Sequence, residues 1–219
     1  MSSPRPIIRR VVTGRWKENT FLVRAAEGVD GVIVDPGCDA SAIDAAIDAM
    51  EMRVRAVLLT HAHYDHVWST SHIQSRTAAD VYLHEGDTAL LRRVNAFTLV
   101  LGLEHIPVPA PTHLLRGGEE FGWPGLSISV MHLPGHTRGS VSYRVADDFF
   151  VGDTVLPGSV GRTDLPGSDP EALVTSVRRL VDALDDRSVI HPGHGLEMGR
   201  EAILMTNDAV RSLMEPDAS

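Results

Sequence analysis

Apolar positions change their spacing several times along the chain, and each change marks an element. PIIRRVV (6–12), TFLVRA (20–25) and GVIVD (31–35) are short runs separated by Gly, Asn and Asp, and they predict three strands in a meander. In SAIDAAIDAMEM (41–52) the apolar residues Ile43, Ile47 and Met50 fall at a helical period, with Ser41 placed to cap the N-terminus. VRAVLLT (54–60) is continuously apolar, as a strand covered on both faces should be. A helix over 66–78, a strand over 80–84 and a helix over 86–101 follow, with Phe97, Leu99, Val100 and Leu101 expected in the core ahead of two alternatives, an acyl pocket or a dimer contact. LEHIPVPAPTHLL (103–115) carries three prolines and predicts an irregular connector, a candidate lid or boundary between halves.

Beyond the connector, strands are predicted over 126–133, 140–145 and 148–153. SDPEALVTSVRRLVDAL (168–184) is an amphipathic helix: Ser168 with Glu171 forms a capping box, and Leu173, Val177, Leu180 and Leu184 form the buried stripe. A last strand covers 188–191, and MGREAILMTNDAVRSLM (198–214) predicts one further helix. Strands, helix, strands, helix in each half predict an α/β (α+β) architecture, an αββα sandwich of two mixed β-sheets flanked by helices. It is expected as one domain over 1–219 with pseudo-halves of about 1–110 and 111–219.

Composition narrows the partners. The net charge of −9 with a single lysine, Lys17, gives no basic footprint for a polyphosphate, so no nucleic-acid partner is expected. No stretch has the length of a membrane span and MSSPRPIIRR lacks the apolar core of a secretory signal, so a cytoplasmic protein without a membrane partner is expected. The one cysteine, Cys38, excludes an internal disulfide and reads as a turn residue in DPGCDA. Nothing in the chain fixes the oligomeric state; a homodimer is one option.

Eleven histidines call for a use. THAHYDH (60–66) sets His61, His63, Asp65 and His66 at the C-terminal end of the buried strand, where α/β sheets place ligands. In an extended segment His61 and His63 point the same way while Asp65 and His66 diverge, so one loop can serve two adjacent metals. Three more predicted strands end in a ligand type beside glycine: His136 in LPGHT, Asp153 in VGDT and His194 in HPGHG. Seven such residues in a shared topological position predict a metal centre. His132, on the strand before His136, is placed behind it or on a backbone carbonyl.

THAHYDH, PGHT, GDT and PGHG, in this order, resemble the motif set of the metallo-β-lactamase superfamily, whose fold is an αββα sandwich. The resemblance assigns His61, His63 and His136 to a first metal, Asp65, His66 and His194 to a second, Asp153 to the bridge, and Asp35 to a support behind the metal loop. It implies two divalent ions, zinc first, with iron or manganese compatible. With two carboxylates and a hydroxide the centre keeps a net charge of about +1, suited to a polarised carbonyl.

Lactamases of the family typically carry a cysteine where Asp153 stands and lack a ligand at His66. FVGDTVLPGSVGRTDLPGSDPEAL (150–173) is instead similar to the glyoxalase II-like hydrolases. The implied reaction is hydrolysis of a small-molecule acyl substrate, a thioester as in hydroxyacylglutathione hydrolases. A hydroxide between the metals attacks the carbonyl, and Asp65 orients it and accepts a proton. Arg162 either pairs with a substrate carboxylate or buttresses its loop. The 24 residues after Gly195 are expected to form one helix, not the domain that helps such enzymes hold glutathione, which leaves the thiol carrier open. Three alternatives stand: a persulfide dioxygenase with one iron on His61, His136 and Asp153, a lactone or other ester hydrolase, and a non-catalytic metal-binding module.

Overall fold

The computed structural model describes residues 5–214. The first half of the chain builds a six-stranded sheet in the order β1 (Ile7–Thr13), β2 (Glu18–Arg24), β3 (Asp30–Val34), β4 (Arg53–Leu58), β5 (Asp80–His84) and β6 (His113–Leu115). β1 to β3 pair antiparallel and β3 to β6 parallel. Between these strands run α1 (Ala40–Ala49), α2 (Tyr64–Val67), α3 (Thr70–Thr77), α4 (Thr88–Arg92) and α5 (Val94–Val100).

A second six-stranded sheet contains β7 (Glu120–Trp123), β8 (Leu126–His132), β9 (Val141–Val145) and β10 (Asp148–Gly152). The ribbon β11 (Val155–Leu156) and β12 (Ser159–Val160) stands apart, and α6 (Pro170–Ala183) follows. β13 (Val189–Pro192) and β14 (Met198–Gly199) complete the second sheet, with β13 parallel to β10, and α7 (Arg200–Thr206) and α8 (Asp208–Met214) end the described chain.

Alternation along the strands produces the layers. Leu22, Ile33 and Val57 face outward and pack on Ile43 and Ile47 of α1 and Ile73 of α3. Their neighbours Phe21, Val32 and Leu58 face inward and meet Ile128, Tyr143 and Phe150 of the second sheet. On the far side Phe149, Val151 and Ile190 pack against Leu173, Val177 and Leu180 of α6. Helices, sheet, sheet, helices is the expected sandwich, and the expected stripe on α6 is the buried one, at about 1.5–3 kcal/mol of transfer free energy per side chain.

Several element ends differ from expectation for local reasons. Asp39, not Ser41, caps α1, accepting from the Ala42 N–H at 3.0 Å while the Ser41 hydroxyl donates to it. Asp169, not Ser168, caps α6, because Pro170 fits only the first helical turn and so fixes the cap one residue before it. The helix expected over 66–78 is divided into α2 and α3. That over 86–101 becomes a 3-10 turn at Glu85–Asp87 followed by α4 and α5. The helix expected over 198–214 breaks at Asn207, whose buried side-chain oxygen caps α8 through the Val210 N–H. Leu115, at the end of the proline-rich connector, pairs as β6 with β5. Among the described residues no helix is long and apolar enough to cross a membrane.

Candidate metal centre

Five strand ends meet at one end of the sandwich: β3 before Asp35, β4 before residues 60–66, β8 before His136, β10 before Asp153 and β13 before His194. Backbone at His63 is still extended (φ −72°, ψ 149°) and the chain then makes the single turn α2. Extended backbone therefore presents His61 and His63, and one helical turn presents Asp65 and His66. Close approach depends on two glycines. Gly152 sits at φ +51°, where a Cβ would lie 2.3 Å from the Thr60 hydroxyl, and a Cβ on Gly193 would lie 2.3 Å from Asp153 Oδ1.

The ring nitrogens show which lone pairs remain. His66 donates from Nδ1 to Asp35 Oδ2 at 3.0 Å, His136 from Nδ1 to the Arg162 carbonyl at 2.9 Å, and His194 from Nδ1 to the Trp16 carbonyl at 3.1 Å. The Thr60 hydroxyl donates to Asp35 at 2.6 Å and so accepts from His61 Nδ1 at 3.0 Å. Four imidazoles therefore keep Nε2 for a ligand. His63 offers Nδ1, which lies 3.1 Å from His61 Nε2 and 3.0 Å from His136 Nε2. Three lone pairs this close repel one another unless a cation sits among them.

His61, His63 and His136 form one group and Asp65, His66 and His194 another, each with ligand atoms all within 4.8 Å of one another. Asp153 lies between the groups, 3.6 Å from both His66 Nε2 and His136 Nε2 and 3.7 Å from His194 Nε2. His66 Nε2 and Asp153 Oδ1 are buried without a hydrogen-bond partner, a costly state for lone pairs that a bound cation relieves. The donor set fits divalent metal. Asp35, His61 and His66 form a third close group, but the Asp35 oxygens are already taken by Thr60 and His66, so Asp35 holds the loop from behind.

Charge fits the same reading. Burial, with neighbouring imidazoles, drives His61 well below its usual range, and burial, then His136, brings His63 down to about 3. Burial pushes the Asp65 carboxyl up, yet His66 and His194 outweigh it and hold it at about 2. His66 goes the other way: burial disfavours its charge, but Asp153, Asp65 and Asp35 overcome burial and raise its pKa. Negative charge is thus concentrated around His66, where a cation would neutralise it.

Arg162 lines the cavity over this cluster, but its guanidinium fork is held by Asp164 at 2.6 and 2.7 Å and its carbonyl fixes His136. His132 stacks on His84, 3.9 Å between ring centroids, and meets the Arg138 carbonyl, with no contact to the cluster among its described partners. Cys38 is a half-buried turn residue whose thiol is pushed up to about 12 by burial. Leu99 and Val100, expected in the core, are 77% and 85% exposed; α5 turns Val94 and Thr98 inward instead.

Two supporting residues escaped sequence reasoning. The Asp87 carboxylate, raised by burial, accepts from Ala62 N–H, the Thr137 hydroxyl and Gly139 N–H, tying the His61–His63 loop to the His136 loop. The Asn19 amide donates to the Pro192 and Gly195 carbonyls and clamps the loop of His194. Their only signal in sequence is a polar residue at a strand end.

Known proteins share this arrangement of chain. The hydroxyacylglutathione hydrolase GloC of Haemophilus influenzae is 31% identical over 187 residues, covering 82% of this chain and 86% of that protein. TTHA1623, whose crystal structure is in a di-iron-bound form, superposes with a TM-score of 0.83 at 35% identity, covering 91% of this chain and 98% of that one. The B3 metallo-beta-lactamase BLEG-1 superposes with a TM-score of 0.86 at 28% identity, covering 95% and 100%. Residues 13–194 match the sequence profile described as the metallo-beta-lactamase superfamily. With a matching profile, fold and His/Asp cluster, the chain belongs to the metallo-β-lactamase superfamily, as a metallo-hydrolase.

Proposed function

We propose that the chain hydrolyses thioesters in a metal-dependent reaction. His61, His63 and His136 would hold one divalent ion and Asp65, His66 and His194 a second, with Asp153 between them. Zinc is the first candidate, and the same donors suit iron and manganese. Ions bound there supply Lewis acidity toward a carbonyl oxygen and water that ionises near neutral pH. One observation carries the proposal: lone pairs from four loops converge at the floor of a cavity wide enough for a small acyl substrate.

The chain's own groups supply orientation and a proton relay. Asp65 lines the cavity and stays ionised at neutral pH, so it can accept a hydrogen bond that orients a water molecule and relay the released proton to solvent without retaining it. The water oxygen bonds to the carbonyl carbon, the carbon–sulfur bond breaks, and the sulfur departs as thiolate. A thiol of pKa about 8.5 leaves without a strong general acid. The likeness to GloC, a hydroxyacylglutathione hydrolase, supports a thioester over other acyl substrates.

Elemental analysis combined with turnover of S-lactoylglutathione, a lactone and a simple ester tests the reading. We expect two equivalents of zinc, iron or manganese, with thioester hydrolysis abolished by chelation. One equivalent of iron with oxygen consumption on glutathione persulfide would replace the hydrolase by a dioxygenase.

A further inference from the structure

The cavity above the cluster has walls of opposite character. Its floor carries His63, Asp65, His136, Asp153 and His194, whereas Trp16, Val94, Phe97, Val100, Leu101 and Leu165 form an apolar wall. The volume, about 600 Å³, is in the range of small-molecule sites. Three separate segments build the wall: the turn between β1 and β2, α5 with its C-terminal end, and the loop before α6. Val100 and Leu101 remain 85% and 43% exposed, so large apolar side chains meet water at the mouth. Two guanidinium groups border the wall: among the described lining residues Arg162 is the one Arg or Lys, with Asp164 in its fork, and Arg15 lies over the Trp16 ring, 4.0 Å from its centroid. Both guanidinium groups stand at the Trp16 and Arg162 side, whereas Val94, Phe97, Val100 and Leu101 along α5 offer an uncharged chain apolar contact.

We infer that this wall selects a medium-length aliphatic acyl group, which lies along α5 while its thioester carbonyl reaches the His/Asp floor. The inference rests on the thioesterase reading above and adds the substrate class. Each methylene buried against the wall strengthens binding roughly fourfold. Phe97 is central, because it is half-buried between the outer mouth and the floor.

Two measurements test the inference on the metal-replete protein. The kcat/KM for N-acetylcysteamine thioesters of acetate, butyrate and hexanoate is expected to rise roughly fourfold per added methylene. Non-hydrolysable S-alkyl N-acetylcysteamine thioethers, followed through tryptophan emission with Trp16→Phe identifying the reporter, are expected to show Kd falling by the same factor. Val100→Asp, at an exposed position, and Phe97→Ala should each lower the hexanoate-to-acetate ratio about tenfold with metal content unchanged. Chain-length-independent Kd and an unaltered ratio in both variants would overturn the apolar wall; turnover of S-lactoylglutathione in the same preparation would leave the thioesterase standing. Chain-length-dependent binding without hydrolysis of any thioester would do the reverse.

Discussion

Asp35 shows how much one residue can carry. It follows β3 with φ at +48°, a conformation most side chains avoid, and spends both carboxylate oxygens on the metal loop: Thr60 N–H at 2.7 Å, the Thr60 hydroxyl and His66 Nδ1. It sets the tautomer of His66 directly and that of His61 through Thr60. Asp35→Asn should therefore lower metal affinity about 10–100-fold while the far-UV spectrum stays native. Competition with a chromophoric chelator measures this, and unchanged affinity would show the loop holds itself. Gly193→Ala makes the opposite intrusion, with a Cβ 2.3 Å from Asp153 Oδ1 and 2.6 Å from the His66 ring, and should reduce the metal bound per chain. The seven candidate ligands could be read in the sequence because each sits in the segment that directly follows a strand, at most eight residues past its end. Asp87 and Asn19 could not, since their partners lie 25 to 52 and 173 to 176 positions away and only the folded chain joins them.

Among elements, termini decide what periodicity leaves open. α1 depends on Asp39, whose carboxylate accepts from Ala42 N–H and the Ser41 hydroxyl and is held below its ordinary value of 3.8 chiefly by the first of these. Asp39→Ala should cost about 1 kcal/mol at neutral pH. A carboxyl with a depressed folded pKa contributes its stabilisation above the unfolded value and loses it as pH falls through the folded one. The difference from the parent should therefore persist at pH 5 and shrink below pH 3.8, as urea titrations at several pH values would show. Asn207 is the stronger case. Its buried amide donates to the Leu156 and Ser159 carbonyls and its oxygen caps α8, so Asn207→Ala should cost about 2–3 kcal/mol by stranding buried groups. Sequence periodicity found α6 because a polar face flanks its stripe. It missed the exposure of α5 because an apolar run looks the same whether it lines a core or a cavity, and it ran α7 into α8 because Asn is tolerated in a helix unless its tertiary partners are known.

At the scale of the molecule the proposed metal centre would be a clasp between the two sheets. His61, His63, Asp65 and His66 follow β4 of the first sheet, whereas His136, Asp153 and His194 follow β8, β10 and β13 of the second. Ions held by both sets, as proposed, would oppose any separation of the sheets, and the unfolded chain offers no such site. Binding to the native state alone stabilises by about 4 kcal/mol when free metal is a thousandfold above Kd, and each kcal/mol moves the midpoint of a chain this size by about 2–4 °C. Exhaustive chelation should thus lower Tm by roughly 8–16 °C, reversibly on adding back metal. His194→Ala, which removes one ligand from the second group, should recover part of that shift with metal because His61, His63 and His136 are intact. Scanning calorimetry of the metal-replete, chelated and reconstituted protein provides the check. Identical midpoints in all three would mean that the hydrophobic layer between the sheets holds them together without help, and that the convergence of lone pairs serves chemistry alone.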